Sequence, residues 1–376
     1  MAINGLLSAI MSLLLHEFHK SLGARFSGLN NAELVADYGD WLGEHKALRE
    51  TAAVLDLSFR GRICLLGNDR VRFLHGQITN DVKKLGIGEG CYAALTTAKG
   101  KMESDLNVYN LPDELLLDFE PGLTQKISQR LEKFIVADDV QIVDVAEHYG
   151  LLSVQGPKAM EAVRALGFPD VPQKEFSIIK HSDATLGEIY LANQRRVSSG
   201  TDGFDIFVPN ESLGAVLDKL IAAAKRAGGR ACGWTAFETA RIEAGIPRFG
   251  ADMDETNLPM ECDVQNRMIS FHKGCYIGQE VLNRIHAIGH VTKELRGLRF
   301  AGELKLPQKG DKLCHGGKEV GYVTSAVKSP ALDANIALGY VRHEANQIGT
   351  VLTLQTADGE SPVTVVELPL SRPSVL

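Results

Sequence analysis

The spacing of apolar and polar positions switches repeatedly between a strand period of two and a helical period near 3.6. "GRICLLGNDRVRFLHGQI" predicts a strand, a turn and a helix. "CYAALTTAKGKMESDLNVYNLPDELLLDFEP" predicts three short strands separated by turns at Lys99-Gly100 and Leu111-Pro112-Asp113. "GLTQKISQRLEKFIVADDVQIVDV" predicts a helix followed by a strand. This alternation is typical of a two-layer α+β unit.

The same pattern partly recurs further along the chain. "YGLLSVQGPKAMEAVRALGF" predicts strand, turn and helix, and "EIYLANQRRVSSGTDGFDIFVP" a strand pair, so we expect a second α+β unit. Ahead of both units, "ELVADYGDWLGEHKALRETAAVLDL" carries helix signals. The last part of the chain has short alternating strands separated by Gly and Pro, which favours a small β-barrel or sandwich.

Composition limits the classes of function. A length of 376 residues predicts two or three domains, and 44% hydrophobic with 23% charged residues is ordinary for a globular protein. A net charge of -7 argues against general nucleic-acid binding. No segment reaches transmembrane length, and none of the six cysteines has zinc-site spacing or pairs as C-x-x-C. We therefore expect a cytoplasmic protein without a metal site, in which cysteines are reduced.

One cysteine stands in unusual surroundings, the stretch "KGCYIGQEVLNRIHAIGH". Apolar positions after it follow one helical face, so Cys275 is predicted at or just before a helix N-terminus, with Gly289 as the stop. The helix dipole and Lys273 would there favour a thiolate and make Cys275 a candidate reactive group. A small buried residue at a helix cap is the alternative.

A carboxylate is also oddly placed. Glu243 is predicted in the last turn of a helix that ends at Gly245, where the helix dipole disfavours negative charge. A ligand with amidine-like nitrogens would explain it, and a solvated surface carboxylate is the alternative. Asn80, Asp81 and Asp105 are further polar residues at predicted strand or loop edges, although turn chemistry explains Asn80-Asp81 equally well.

In this order, the motifs resemble the glycine-cleavage T-protein superfamily of tetrahydrofolate-dependent proteins. The resemblance rests on "SVQGP", "GTDGFDIFVP" and "RIEAGIPRFGADMDETNLPME", and it extends over nearly the whole chain from about Leu14. "KGCYIGQEV" is similar to the signature of the YgfZ branch, folate-binding proteins linked to iron–sulfur cluster assembly and repair.

This resemblance implies a three-domain ring around a folate channel. A discontinuous α+β (ferredoxin-like) domain would take residues 14–58 and 147–285, an inserted α+β domain 59–146, and a C-terminal β-barrel 286–376. The implied cofactor is tetrahydrofolate or a one-carbon-substituted folate. Glu243 would grip the pterin, and Cys275 would be the functional cysteine at the channel. The resemblance also gives Lys273 a place beside the cysteine, and Asn80, Asp81, Arg195 and Gln279 places near the folate.

Departures from the family pattern bear on activity. T-proteins carry a pair of aspartates after a glycine-rich turn, of which the first acts on the substrate's aminomethyl nitrogen. Here Ser104 takes the first position and Asp105 the second, and adjacent strand side chains point to opposite faces. We therefore favour a tetrahydrofolate-binding factor for iron–sulfur cluster assembly or repair, with iron–sulfur client proteins as partners. An aminomethyltransferase or related one-carbon transferase that uses Asp105 is the alternative, and a non-catalytic scaffold the third.

Overall fold

The computed structural model describes residues 11–198, 200–301 and 305–371. The first elements are α1 (His16–Ser21), β1 (Arg25–Leu29), β2 (Ala32–Asp37), α2 (Trp41–Glu50) and β3 (Ala53–Asp56). β1 and β2 form an antiparallel hairpin. The helix predicted from residue 33 onward is thus confirmed only for α2, because the residues on either side of it are drawn into strand pairing.

A five-stranded antiparallel sheet follows. Its segment contains β4 (Gly61–Leu66), α3 (Arg70–Gln77), β5 (Glu89–Thr96), β6 (Met102–Asn110), β7 (Leu115–Phe119), α4 (Thr124–Glu132) and β8 (Gln141–Asp144). The strand order is β5-β6-β7-β4-β8. The three strands predicted for β5, β6 and β7 are confirmed. Ile63 and Leu65 on β4 pack with apolar residues of α3 and α4, so the alternate residues of β4 face away from these helices.

A second sheet has six strands. The elements after residue 145 are β9 (Tyr149–Gln155), α5 (Ala159–Arg164), β10 (Ile178–Asp183), β11 (Gly187–Asn193), β12 (Gly203–Pro209), α6 (Leu213–Arg226), β13 (Arg230–Ala231) and α7 (Trp234–Glu243). The strand order is β10-β11-β12-β9-β3-β13, with β13 parallel to β3. Apolar residues of α5 and α6 form one buried cluster with residues of β9, β11 and β12, so these helices cover one face.

The uncovered faces of the two sheets pack against each other. Their shared apolar cluster includes Cys64 and Tyr109 from the first sheet and Leu55, Leu151 and Phe207 from the second. Because successive strand residues point to opposite faces, this layer also receives the polar side chains at alternate positions of β6, β7 and β12. The space between the sheets is where the cavity described below lies.

The chain ends in a closed six-stranded barrel. Two short helices lead to it, and the elements are α8 (Gln265–Met268), α9 (Gln279–Ile288), β14 (Lys293–Phe300), β15 (Lys312–His315), β16 (Lys318–Ser329), β17 (Ala334–Arg342), β18 (Val351–Thr356) and β19 (Gly359–Val366). The barrel order is β14-β17-β16-β15-β18-β19. The predicted α+β class with a C-terminal β-barrel is confirmed. Within the described ranges, no helix has the length and apolar character needed to cross a bilayer.

Candidate functional site

The central cavity lies where the two sheets meet the segment after α7. It holds about 680 Å³ of space, including the part open to solvent, which lies within the range of small-molecule sites. Its wall includes Tyr92, Asp105, Phe176, Phe237 and Arg248. Aromatic faces and charged groups therefore meet in one pocket, a combination typical of sites for flat polar ligands.

Asp105 is the carboxylate that β6 presents to this cavity. Its Oδ2 accepts a hydrogen bond of 2.8 Å from the Tyr92 hydroxyl, whereas its Oδ1 is buried and has no hydrogen-bond partner among the described residues. Ser104, the preceding residue, is fully buried and is absent from the cavity wall; its Oγ donates to the backbone carbonyl of Asp105. Strand alternation thus places Asp105, and not Ser104, in the pocket.

The surroundings of Asp105 make it a weak acid. Burial, followed by the negative charge of Glu120, raises the pKa of Asp105 to about 6. The Tyr92 hydrogen bond and the Arg60 charge act in the opposite direction without cancelling this rise. A carboxylate with a pKa of about 6 is largely ionised at neutral pH and still basic enough to take a proton, which suits a general base.

A buried network of arginines and carboxylates forms the floor of the site. Arg60 Nε donates to Asp118 at 2.8 Å, and Arg196 Nη2 donates to the other oxygen of Asp118 at 2.9 Å. Glu120 pairs with Arg60 and accepts from Arg248 at 3.0 Å. Burial opposes ionisation of Asp118 and Glu120, but the adjacent guanidinium groups outweigh it and lower the pKa of each carboxylate. The network therefore keeps fixed charges next to Asp105.

The same network connects to the barrel. Arg241 on α7 pairs with Glu238 at 2.8 Å and with Asp252, and it donates to Ser325 of β16 at 3.0 Å. Asp252 in turn accepts from Thr324 of β16 at 2.6 Å. Because Arg241, Asp252 and Thr324 are buried, the barrel holds the segment that follows α7 against the cavity.

Glu243, which was expected to grip the pterin, does not line the central cavity. It is the last residue of α7, as predicted, and its Oε2 lies 2.9 Å from His45 Nε2 and 3.3 Å from Arg49 Nη1, while its Oε1 accepts from Ser329 at 2.5 Å. Burial alone would raise its pKa, but the His45 and Ser329 hydrogen bonds and the neighbouring charges lower it. Glu243 therefore links α2, α7 and the barrel.

Cys275 is exposed, it precedes the first residue of the predicted helix by four positions, and it does not line the central cavity. The helix α9 starts at Gln279, because Gly278 has a φ of 91° and a Cβ there would lie 2.7 Å from the Thr97 carbonyl oxygen. Cys275 thus lies in the loop before the helix. Gln279 is likewise absent from the cavity wall, with its side-chain amide 3.5 Å from the Lys273 carbonyl oxygen.

Lys273 is a structural residue and not a partner for the Cys275 thiol. Its ammonium donates to the backbone carbonyls of His75, Ile78 and Asn80 at 2.6, 2.7 and 2.8 Å. Burial lowers the pKa of Lys273 to about 8, which leaves it protonated at neutral pH with all three hydrogens donated. Lys273 therefore ties the Cys275 loop to the C-terminal end of α3.

The remaining predicted residues divide between two places. Arg195, which was expected near the folate, lies in the wall of the central cavity. Asn80 lies outside the wall, and its amide donates to the carbonyls of Tyr92 and Arg267 at 2.8 and 3.0 Å. Asp81 also lies outside it, 3.3 Å from His75. Both residues therefore stabilise the loop between α3 and β5 and do not line the pocket.

Comparison with known proteins gives the family. A model of the GCVT N-terminal domain matches residues 15–273, and one of the glycine cleavage T-protein C-terminal barrel domain matches residues 293–371. The chain belongs to the glycine-cleavage T-protein family. An aminomethyltransferase of Symbiobacterium thermophilum is 31% identical over 366 residues, covering 95% of this chain and 96% of the relative. One from Bacillus subtilis is 28% identical over 361 residues, covering 95% and 98%.

A solved structure supports the T-protein fold. The crystal structure of aminomethyltransferase T from Bartonella henselae aligns with a TM-score of 0.88 and 23% identity, covering 97% of this chain and 99% of that one. The predicted superfamily is therefore confirmed, whereas these relatives bear the name aminomethyltransferase and not that of the YgfZ branch. Tyr92 is the main site residue of this T-protein homologue that the motifs did not single out.

Proposed function

We propose that the protein is a tetrahydrofolate-dependent aminomethyltransferase in which Asp105 is the catalytic carboxylate. The observation that carries the proposal is the buried, unpartnered Oδ1 of Asp105 in the wall of the central cavity. This position weakens the argument that Ser104 removes the carboxylate needed for transfer, because Ser104 faces away from the pocket. We therefore prefer aminomethyl transfer, the alternative drawn from the sequence, to a role in iron–sulfur cluster assembly or repair.

The residues of the cavity suit tetrahydrofolate, the one-carbon carrier of this family. Phe176 and Phe237 offer apolar surface to a flat ring, and Asp105 offers a free hydrogen-bond acceptor to a ring or substrate N–H. Arg195 in the same wall supplies positive charge that suits the carboxylates of the glutamate portion. When bound, tetrahydrofolate supplies the nitrogen that accepts the one-carbon unit.

Asp105 would act on the aminomethyl group through its charge and its basicity. An ionised carboxylate stabilises an adjacent ammonium strongly in a site shielded from water, and it can take up the proton that the nitrogen releases. Tyr92 fixes the carboxylate through Oδ2 and leaves Oδ1 for the substrate. Proton transfer by a positioned group typically contributes a factor of about 10² to 10⁴.

A role in iron–sulfur cluster assembly or repair is the second candidate, and it rests on the exposure of Cys275. An exposed thiol is accessible to a client protein, and thiolate sulfur suits iron. Because Cys275 lies outside the cavity wall, this role would not need the folate-site carboxylate. Loss of cellular iron–sulfur enzyme activity in Cys275→Ala, with unchanged aminomethyl transfer, would support it.

The direct test is to incubate the purified protein with tetrahydrofolate and an aminomethyl donor and to measure methylene-tetrahydrofolate. We expect formation at an enzymatic rate, together with saturable tetrahydrofolate binding by calorimetry. Binding without turnover would favour a folate-binding factor, and absence of binding would leave only the scaffold hypothesis.

A further inference from the structure

One side chain marks the opening of the central cavity. Among the described residues of its wall, Arg267 is the exposed one, and the others are buried or half-buried. Arg267 belongs to α8, and its guanidinium lies 5.9 Å from the centre of the Tyr92 ring, whose hydroxyl holds Asp105. The guanidinium therefore lies where the cavity meets solvent, beside the ring that positions the proposed catalytic carboxylate.

Arg267 has a counter-ion within the protein, Glu175. Its Nη2 donates to Glu175 Oε1 at 2.6 Å, and its other nitrogens donate to no residue in the described ranges. Both partners reach water, with 45% of the Arg267 side chain and 33% of the Glu175 side chain exposed. An exposed ion pair contributes little to stability, because water screens it and two flexible side chains must be ordered. Another carboxylate can therefore replace Glu175 at small cost.

Other arginines of the wall are held too firmly for such an exchange. Arg248 donates to both Glu120 and Glu238 at 3.0 Å, and only 14% of its side chain is exposed. Arg60 is buried between two carboxylates. Separating a buried ion pair is costly, because it leaves a charge without a partner in a site shielded from water. Of these ion-paired arginines, Arg267 is the one whose charge is available to a ligand.

The backbone on each side of the exposed ion pair is fixed. The Asn80 amide donates to the carbonyls of Tyr92 and Arg267 at 2.8 and 3.0 Å, which ties α8 to β5. On the other side, the residue that follows the acid in the chain is Phe176. It lies in the cavity wall with a φ of 63°, and its N–H donates to the Asn193 carbonyl at 2.8 Å. An exchange of counter-ions therefore needs only side-chain rotation.

We propose that Arg267 binds a carboxylate of the folate's glutamate portion, and that Glu175 is the counter-ion that this carboxylate displaces. The inference rests on the proposed function, since it takes the folate ring to lie at Asp105. A glutamate portion carries two carboxylates, so Arg267 adds a second cation to the charge that Arg195 supplies in the same wall. Because ligand and Glu175 compete for one guanidinium, Arg267 raises the affinity for tetrahydrofolate and Glu175 lowers it.

The experiment measures the Kd of tetrahydrofolate by anaerobic calorimetry with the full chain and its variants. Arg267→Met is expected to weaken binding roughly tenfold, because a hydrogen bond between charged groups is lost. Glu175→Gln is expected to tighten binding about two- to fivefold, which is the strength of an exposed ion pair expressed as an affinity. In the double variant, Glu175→Gln should have no further effect. A merely structural pair would instead weaken binding in both single variants.

Glu89→Gln is the matched control, because Glu89 pairs at 2.8 Å with Lys174, the residue before Glu175, and lies outside the cavity wall. It removes the same charge, so equal tightening there would show a general electrostatic effect and overturn the proposal. Weaker or unchanged binding in Glu175→Gln would also overturn it.

Two further outcomes separate this inference from the proposed function. An unchanged Kd in Arg267→Met contradicts the inference alone, and a raised KM for the aminomethyl donor in that variant would assign Arg267 to the donor. A wild-type protein that binds no tetrahydrofolate would contradict the proposed function itself, and this inference with it.

Discussion

The hydroxyl of Tyr92 donates a 2.8 Å hydrogen bond to one carboxylate oxygen of Asp105, while the other oxygen is buried without a partner among the described residues. The two residues lie on neighbouring strands, where Tyr92 pairs with Asn107 and Ala94 pairs with Asp105. They are therefore diagonal neighbours on one face of the sheet, within reach of a long side chain. This relationship both orients Asp105 and sets its acidity.

The acidity of Asp105 predicts the acid limb of the pH–rate profile. The active form is the carboxylate, so the rate should fall as pH drops below about 6, the raised pKa of Asp105. Removing the Tyr92 hydroxyl takes away a hydrogen bond that lowers this pKa, so in Tyr92→Phe the limb should move upward by roughly one to two pH units. The pH dependence of kcat/KM for both proteins checks this, and an unmoved limb would exclude Tyr92 as the positioning residue.

Glu243 should matter for stability more than for folate binding. Glu243→Gln leaves His45 and Arg49 without their carboxylate, which we expect to lower the free energy of unfolding by about 3 kcal/mol. The pKa of Glu243 is lowered in the folded state. Its contribution to stability is therefore fully present above pH 4.5, the ordinary pKa of a glutamate, and is lost as the pH falls through the lower pKa of the folded state. Urea denaturation at several pH values measures this. Glu280→Gln, which changes an exposed carboxylate, serves as the control. If Glu243→Gln lost folate affinity without losing stability, that result would support a direct contact of Glu243 with the pterin.

Lys273 should stabilise the fold by holding the Cys275 loop against the C-terminal end of α3. Lys273→Met removes the donor to three buried carbonyls, so we expect a loss of about 3 kcal/mol in unfolding free energy. Hydrogen exchange should rise in the loop that precedes α9 and at the C-terminal end of α3. Lys83→Met, which changes an exposed lysine nearby, should leave both measurements unchanged. Equal stability of the two variants would contradict this stabilising role of Lys273.

Cys275 should be the thiol that reacts first in the folded protein. Cys64, Cys232, Cys262 and Cys314 are buried and Cys91 is half-buried, so a thiol reagent should modify one residue rapidly and the others slowly or only after unfolding. Peptide mapping by mass spectrometry identifies the site. Aminomethyl transfer should be unaffected in Cys275→Ala, and a large loss of transfer would connect this cysteine to the cavity after all.

The sequence could predict whatever depends on local pattern. The turn at Lys99-Gly100 predicts the hairpin of β5 and β6, but the register shifts by one residue between Leu95 and Thr96, and only this irregularity places Ala94 opposite Asp105. The apolar alternation that predicts the barrel strands is equally local. What could not be derived was which of the two faces of β6 meets the cavity, because that depends on the second sheet.

Long-range contacts explain the remaining errors. Glu243 is oddly placed in its helix, as the sequence indicated, but its partners His45 and Ser329 lie 198 and 86 residues away and cannot be read from spacing. The start of α9 was misplaced for a similar reason. Gly278, the left-handed residue before the helix, lies against the Thr97 carbonyl in the turn after β5, a contact that the local sequence does not reveal.

The comparison that tests the central claim most directly is aminomethyl transfer to tetrahydrofolate by Asp105→Asn and Ser104→Ala. These adjacent residues of β6 face opposite sides, so one variant removes the carboxylate from the cavity and the other changes only the buried side. The proposed mechanism predicts that Asp105→Asn lowers kcat by about 10² or more, while Ser104→Ala stays close to wild type. A fully active Asp105→Asn would contradict it.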